Sequence, residues 1–201
     1  MEIQQINLND YLDLYPDRYI RDSKIDFLIY DIILNSNKKL VSLDIGGNKE
    51  GTKALRETIA YFLDPFINKP DFYVEQLTWE NVKNYKFDLI IAKNSLNYLD
   101  ENQLQIIPTF LNKNGIFLAN TFLKPIEISR EFFNSRSKKR GNERTEYKNG
   151  KIYHYLEIDN IIIEHSFYYY SFYKLIEIFE NENLNFEITS PNSMIIKIKK
   201  E

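Results

Sequence analysis

The stretch "LVSLDIGGNKEGTKAL", residues 40–55, restricts the possible folds more than any other part of this sequence. An apolar run typical of a buried strand leads into Asp44, and glycines then follow at positions 46, 47 and 51. Glycine tolerates positive φ and lets another group approach the backbone closely. A strand followed by such a turn is typical of the carboxyl edge of an open parallel sheet, which is where these sheets bind ligands.

The rest of the chain repeats the order of strand, helix and strand with short connections. Strands are predicted at 39–45, 58–64, 71–77, 87–94 and 116–122, and helices at 23–35, 52–57 and 100–115. Two last strands, 185–190 and 193–200, are separated by so short a turn that they must pair antiparallel. We predict an α/β fold with a doubly wound, mostly parallel, seven-stranded sheet that ends in an antiparallel hairpin.

An insertion, residues 124–170, separates the parallel part of the chain from this ending. Inside it, "KIYHYLEI" and "IIIEHSFYYY" flank Asp159-Asn160, a two-residue turn signal, and predict a small β-hairpin cap rich in tyrosine. No linker divides the chain, so we predict a single domain over residues 1–201. Residues 1–22 are predicted to form an N-terminal arm or a lid.

Composition limits the class of protein. Cysteine is absent and the chain has only 2 histidines, which argues against thiolate or histidine-rich metal sites. The sequence has no apolar run near the ~18 residues that span a bilayer and no signal pattern, so we predict no membrane partner and a cytoplasmic location. The formal charge of −3 argues against a nucleic-acid partner, although the segment 136–144 is locally basic.

The acidic residues around the glycine turn indicate the kind of ligand. Asp64 follows the second predicted strand, where a carboxylate is suited to hold two ribose hydroxyls, although it could instead cap the turn at Pro65. The phosphate-binding pattern GxxxxGK[ST] and the dinucleotide pattern GxGxxG are both missing, since Asn48 interrupts the latter. Asp44, before the turn, would repel a diphosphate but could hold an ammonium group. An amino-acid-bearing nucleoside therefore fits best.

With these features the chain resembles the class I S-adenosylmethionine-dependent methyltransferases from about residue 24 to its end. "DIGGNKEG" resembles the glycine-rich first motif of that family, and "FDLIIAKNSLNYL" resembles its fourth. The resemblance implies S-adenosyl-L-methionine as cofactor and methyl transfer as the activity. The cofactor-binding positions that it implies are Asp44, Gly46, Gly47, Asn48, Gly51, Asp64, Asn94 and Ser95, together with Glu75 or Gln76 as alternatives after the third strand. Asn48 stands where the family has a glycine, which is a departure from the motif.

The candidate base is His165, in the predicted cap beside a run of tyrosines. The same residue could instead be a packing or surface residue of an alternating strand. Methyl transfer requires a base only when the acceptor holds a proton that it does not lose by itself.

Three functions remain open from the sequence. The first is methyl transfer to a nitrogen or oxygen of a small-molecule acceptor, favoured because the fourth motif is polar and lacks proline. The second is an RNA- or protein-directed methyltransferase that docks through residues 136–144. The third is a non-catalytic binding subunit, which Asn48 keeps open. A homo-oligomer is compatible with all three.

Overall fold

The computed structural model describes residues 4–7, 23–47, 51–65, 67–122, 142–158, 161–180, 182–190 and 193–201. The chain divides into two compact units. The larger unit comprises residues 22–121 and 170–201, and the smaller comprises residues 1–21 and 122–169. Asn48 lies outside the described residues, as does most of the basic segment 136–144.

The described strands are β1 (Gln4–Asn7), β2 (Val41–Ile45), β3 (Ile59–Leu63), β4 (Glu75–Leu77), β5 (Phe87–Ala92), β6 (Leu111–Phe122), β7 (Asn142–Lys148), β8 (Lys151–Ile158), β9 (Ile161–Tyr168), β10 (Asn183–Ser190) and β11 (Ser193–Lys199). The described α-helices are α1 (Ser23–Leu34), α2 (Glu101–Ile106) and α3 (Phe172–Ile178). None of the described helices is long and apolar enough to cross a membrane.

The larger unit is built on a seven-stranded sheet with the order β10-β11-β6-β5-β2-β3-β4. The strands from β6 to β4 pair in parallel, whereas β10 and β11 form an antiparallel hairpin. Lys200, after β11, exchanges backbone hydrogen bonds with Asn114 and Gly115 in the first half of β6, so the hairpin joins the sheet through β11. The predicted fold class is confirmed.

The helix and the strand that flank β3 in the sequence are both shorter than predicted. The predicted helix over 52–57 is a 3-10 helix, Lys53–Glu57, and the predicted strand over 71–77 contains only the three residues of β4. A parallel crossover that carries an α-helix needs about a dozen residues for helix and turns together. The glycine turn uses much of the connection between Ile45 and Ile59, so a full helix does not fit.

The helix predicted over 100–115 is also shorter. Asp100 caps α2 as predicted, since its carboxylate accepts the Gln103 backbone N–H and the Gln103 side chain accepts the Asp100 N–H. Pro108 cannot donate a helical hydrogen bond, and the chain passes from α2 into a 3-10 turn, Ile107–Phe110. Strand β6 begins at Leu111, so the Asn114-Gly115 pair lies within this strand rather than at a helix end.

Helix α1 covers one face of this sheet with the periodic apolar residues that predict it. Ile25 and Ile29 are fully buried in a cluster with Leu55, Phe62 and Tyr73. Three other residues of the same stripe, Leu28, Ile32 and Ile33, pack against the cluster in part. This core lies beneath β2 and β3, the strands whose carboxyl ends carry the acidic residues singled out above.

The smaller unit contains a four-stranded sheet with the order β1-β9-β8-β7. The predicted hairpin of β8 and β9 is present and antiparallel, and β7 extends it on one side. On the other side β1, from the predicted N-terminal arm, pairs in parallel with β9. The hairpin is therefore part of a larger sheet that draws strands from two distant parts of the chain.

Candidate functional site

Asp44 is the most buried acid of the described chain and lies near the end of β2. Its side chain is fully excluded from solvent. Oδ2 accepts the Thr52 backbone N–H at 3.1 Å and the hydroxyl hydrogen of Tyr73. Oδ1 is equally buried, and no described residue donates to it. Burial raises the pKa of Asp44, while hydrogen bonds from Tyr73 and Thr52 and the charge of Lys93 oppose this rise.

The glycines of the turn meet side chains of the chain itself. A Cβ on Gly47 would lie 2.5 Å from the Phe62 ring, and a Cβ on Gly51 would lie 2.6 Å from Tyr73. Gly46 and Gly51 also have positive φ, 67° and 65°. The turn therefore requires glycine at positions 47 and 51, because a larger residue would clash with Phe62 or Tyr73.

The segment after the glycine turn has no free α-helix N-terminus. The segment is a five-residue 3-10 helix, and the Thr52 N–H in front of it is already shared by Asp44 and Tyr73. The polar end of the turn presents a carboxylate instead.

Asp64 lies beside the turn, directly after β3. The pairing of Ile45 with Leu63 sets Gly46 next to Asp64, and the Gly46 N–H donates to the Leu63 carbonyl at 2.9 Å. The Oδ1 atom of Asp64 accepts the Ile67 N–H at 2.9 Å. Both acids thus lie at the carboxyl edge of neighbouring strands, and Asp64 also caps the turn that follows it. The two interpretations of Asp64 in the sequence are compatible.

Gln76 and Glu75, the alternatives predicted for the third strand, differ in their contacts. The Gln76 amide donates to the carbonyls of Asp64, at 2.8 Å, and Ile67, at 3.0 Å, and so holds the turn after β3. Glu75 is exposed and accepts the Tyr85 hydroxyl at 3.0 Å. Gln76 therefore lies against the Asp64 turn, whereas Glu75 contacts a residue outside it.

Asn94 and Ser95 follow β5 at the same edge of the sheet. The Ser95 hydroxyl donates to the carbonyl of Ile45 at 2.5 Å, which links β5 to the start of the glycine turn. Asn94 has a φ of 58°, and its side chain and N–H are both bonded to the side chain of Asn120 in β6. These contacts join the ends of three adjacent strands, β2, β5 and β6.

His165 belongs to the smaller unit. It lies opposite His154 in the register of β8 and β9, both rings are buried, and its ring packs against Phe167 at 4.7 Å. Burial, followed by the neighbouring His154, lowers the pKa of His165 to about 3. An imidazole with so low a pKa is neutral near pH 7 and a weak base.

Two polar residues at this edge were not anticipated from the sequence. Tyr73 bonds to Asp44 from the connection between β3 and β4, and Asn120 bonds to Asn94 from the end of β6. Asn120 had a detectable signal, since it is a polar residue at the end of a predicted strand. Tyr73 had none, because its hydroxyl reaches Asp44 only through tertiary packing.

The carboxylates at this edge fit an amino-acid-bearing nucleoside, because they can accept hydrogen bonds from an ammonium group and from ribose hydroxyls. A fully buried carboxylate oxygen without a described donor is costly unless a polar group satisfies it. A second carboxylate lies one strand away, at Asp64. No group of three or more residues able to hold a metal ion occurs in the part of the chain that the structure describes.

Comparison with known proteins relates the chain to a fold rather than to a sequence family. No protein-family model and no curated protein sequence matches it. Solved structures do match at low sequence identity. A protein from Pyrococcus horikoshii aligns with 10% identity and a TM-score of 0.67 over 96% of this chain and 99% of its own.

An S-adenosylmethionine-dependent methyltransferase from Clostridium acetobutylicum aligns with 13% identity and a TM-score of 0.59, covering 96% of this chain and 97% of its own. The 1,6-didemethyltoxoflavin-N1-methyltransferase of Burkholderia thailandensis, solved with bound 1,6-didemethyltoxoflavin and S-adenosylhomocysteine, aligns with 12% identity and a TM-score of 0.53 over 96% of this chain and 83% of its own. The mixed seven-stranded sheet with its final antiparallel hairpin matches the Rossmann-like methyltransferase fold. The chain therefore has the fold of the class I S-adenosylmethionine-dependent methyltransferases.

Proposed function

We propose that this protein binds S-adenosyl-L-methionine at the carboxyl edge of its seven-stranded sheet and transfers the methyl group to a nitrogen or oxygen of a small molecule. The observation that carries the proposal is the pair of acids, Asp44 and Asp64, at neighbouring strand ends on either side of Gly46. The methyltransferase fold supports it, since the 1,6-didemethyltoxoflavin-N1-methyltransferase of the same fold was solved with bound S-adenosylhomocysteine.

Each acid has a separate role in this proposal. Asp44, through Oδ1, would hold the ammonium group of the cofactor in a site where burial strengthens the attraction. Asp64 would accept hydrogen bonds from the ribose hydroxyls while it continues to cap its own turn. Gln76 supports Asp64 by fixing the turn through two carbonyl groups.

The contribution of the protein to the reaction is mainly positioning. The cofactor supplies a methyl group already activated by its sulfonium, and in-line transfer requires the acceptor to lie opposite the sulfur. Holding two reactants in this geometry is worth up to about 7–11 kcal/mol in well-oriented systems. His165 is too weak a base near neutral pH to remove a proton from a reluctant acceptor. An acceptor whose nitrogen or oxygen can attack near pH 7 without help from a base therefore suits the site best.

A second candidate, a non-catalytic binding subunit, is favoured by one observation. The glycine turn packs onto Phe62 and Tyr73, and the segment that follows it is only a short 3-10 helix. Such a reduced turn could retain a ligand without orienting it for transfer. The RNA- or protein-directed alternative depends on residues 136–144, most of which lie outside the described residues.

The first experiment is calorimetric titration of the protein with S-adenosylmethionine and S-adenosylhomocysteine. Asp64→Asn can still accept the Ile67 N–H but carries no charge, whereas Asp64→Ala loses both functions. We expect both variants to bind at least about tenfold more weakly, because a hydrogen bond to a charged group is worth about 1.5–3 kcal/mol.

The matched control is Asp88→Asn. Asp88, the second residue of β5, lies at the opposite, amino edge of the sheet and also accepts a backbone N–H, that of Val41 at 3.0 Å. We expect this variant to bind as the wild type does. Weak binding by Asp64→Ala together with full binding by Asp64→Asn would show that Asp64 only caps its turn. Absence of binding by the wild type would refute the proposed function.

A second experiment separates the enzyme from the binding subunit. The protein is incubated with methyl-labelled S-adenosylmethionine and a panel of aromatic amines, heteroaromatic nitrogen compounds and phenols. Label recovered in a compound of the panel, and not recovered with Asp44→Asn, would support methyl transfer. Tight binding without transfer to any member of the panel would favour the binding subunit.

A further inference from the structure

We propose that Tyr73 is a positioning residue of the cofactor site, whose hydroxyl orients the Asp44 carboxylate and anchors the far end of the glycine turn. This inference rests on the proposed function and adds to it a residue that does not belong to the glycine motif. Its basis is a set of contacts among Asp44, Thr52 and Tyr73 inside the larger unit.

The Tyr73 hydroxyl has two partners. It donates to Oδ2 of Asp44 and accepts the backbone N–H of Thr52 at 2.9 Å. The same Thr52 N–H also approaches Oδ2 of Asp44, at 3.1 Å. Tyr73 thus closes a small buried network that joins the strand before the turn to the residue after it. With Oδ2 held in this way, Oδ1 takes no part in the network and is the buried oxygen that no described residue donates to.

The ring of Tyr73 is itself immobilised. It is buried, and it packs against Phe62 at 5.0 Å and Phe72 at 4.1 Å between ring centroids. Its backbone is tied to the surrounding turn, since its N–H donates to Pro70 and its carbonyl accepts the Lys69 ammonium at 2.8 Å. A side chain so well fixed can hold Asp44 with little loss of entropy.

Tyr73 also packs against the end of the glycine turn, where the connection from β2 to β3 carries only a 3-10 helix. Gly51 approaches the Tyr73 ring so closely that a Cβ there would lie 2.6 Å from both Cε2 and the hydroxyl oxygen. The 3-10 helix after the turn contacts the same aromatic pair, since the Arg56 guanidinium lies 5.2 Å above the Phe72 ring. The support of the glycine turn therefore comes from the β3–β4 connection.

Loss of the hydroxyl should change how binding depends on pH. The ammonium group of the cofactor needs an ionised Asp44, and the Tyr73 hydrogen bond favours that ionised form against burial. The other described charge that acts on Asp44 is Lys93, whose ammonium is paired with Asp26 at 2.6 Å. Without the hydroxyl the pKa of Asp44 rises further, so binding should require a higher pH.

The test is titration of wild type and Tyr73→Phe with S-adenosylhomocysteine at a series of pH values from acid to neutral, because burial raises the pKa of Asp44. We expect Tyr73→Phe to bind about tenfold more weakly at the acid end of this range. The deficit should shrink as the pH rises, because both proteins then carry an ionised Asp44. A residue that merely filled space would weaken binding equally at every pH.

Two further variants make the result specific. Tyr61→Phe is the matched control, since Tyr61 also lies in this part of the sheet but packs against Tyr85 and Phe87. We expect it to bind as the wild type does. In an Asp44→Asn background Tyr73→Phe should lose its pH-dependent effect, because residue 44 no longer titrates. Thermal unfolding of each variant verifies that it is folded.

The outcomes separate the two proposals. If the wild type binds and Tyr73→Phe matches it at every pH, Tyr73 has no positioning role while the proposed function stands. The same conclusion follows if the effect of Tyr73→Phe is constant with pH or persists in Asp44→Asn. If the wild type does not bind S-adenosylhomocysteine, the proposed function fails and the inference fails with it.

Discussion

Individual glycines of the turn matter for the stability of the larger unit as well as for its ligand. Gly51 combines a φ of 65° with a contact to Tyr73 that leaves no space for a methyl group. Left-handed backbone costs a non-glycine residue about 1–2 kcal/mol, and an overpacked core costs about 1–3 kcal/mol more. The turn is therefore a point at which a small substitution acts on the Asp44 network.

The first stability prediction compares two glycines of the same backbone conformation. Gly51→Ala should lower the free energy of unfolding by about 3 kcal/mol, the sum of strain and overpacking. Gly150→Ala should lower it by only about 1 kcal/mol, since Gly150 has a φ of 75° but a Cβ there would lie 3.9 Å from its nearest neighbour. Urea unfolding measures both, and equal losses would show that packing against Tyr73 is unimportant.

Residue by residue, the sequence located the acids but not their partners. Asp44 and Asp64 could be placed at strand ends because strands and turns follow from local pattern. Tyr73 could not, since its contact with Asp44 spans 29 positions and depends on how the β3–β4 connection folds back. The roles of the site residues in binding stay predictions until ligand titrations test them.

Among the helices, α2 shows how a local signal acts. Its first turn carries a complete capping box, in which Asp100 and Gln103 satisfy each other's backbone N–H groups at 2.9 and 2.8 Å. Its last turn passes into a 3-10 turn at Ile107–Phe110. A helix of six residues depends on its cap more than a long helix does.

Removal of the cap is therefore expected to destabilise the protein. Asp100→Ala should lower the free energy of unfolding by about 1 kcal/mol, the usual cost of losing an N-cap side chain. Asn102→Ala, at an exposed position of the same helix, is the control and should be neutral or slightly stabilising. Denaturant midpoints give both values, and equal midpoints for the two variants would contradict the assignment.

Element lengths were predicted less well than element types. The strand pattern was recognised throughout the sheet, but the helix over 52–57 and the second half of the helix over 100–115 were not formed as expected. In both cases a helical pattern was overruled by something local and steric: a short connection in one and Pro108 in the other. The connection before β3 must also span the parallel pairing of β2 with β3, and this pairing is a tertiary property.

For the molecule as a whole, acid stability should depend on the smaller sheet. The chain has only 2 histidines, and they face each other across β8 and β9. His165 has an ordinary pKa of 6.5 and a folded pKa of about 3. Its neutral form is therefore favoured by folding, so its contribution to stability is complete above pH 6.5 and is lost as the pH falls towards 3.

The corresponding prediction concerns unfolding between about pH 6.5 and 5.5, where carboxylates with ordinary pKa values stay largely ionised. Wild-type stability should fall as the pH is lowered through this range, and His165→Phe should fall much less. The raised pKa of Asp44 acts in the opposite direction, since a buried carboxyl is stabilised by protonation. Urea midpoints at several pH values measure the difference between the two proteins. A parallel decline in both would mean that His165 is not the group responsible.

The sequence by itself determined the α/β class, the mostly parallel direction of the strands, the final antiparallel hairpin and the position of two acids beside a glycine turn. These follow from periodicity, turn residues and connection length, which act over a few neighbouring positions. The aromatic support of the turn, the lock between Asn94 and Asn120 and the recruitment of β1 to β9 were decided only in the folded chain. Each joins residues far apart in sequence, and such contacts depend on the shape of the packed core rather than on any local pattern.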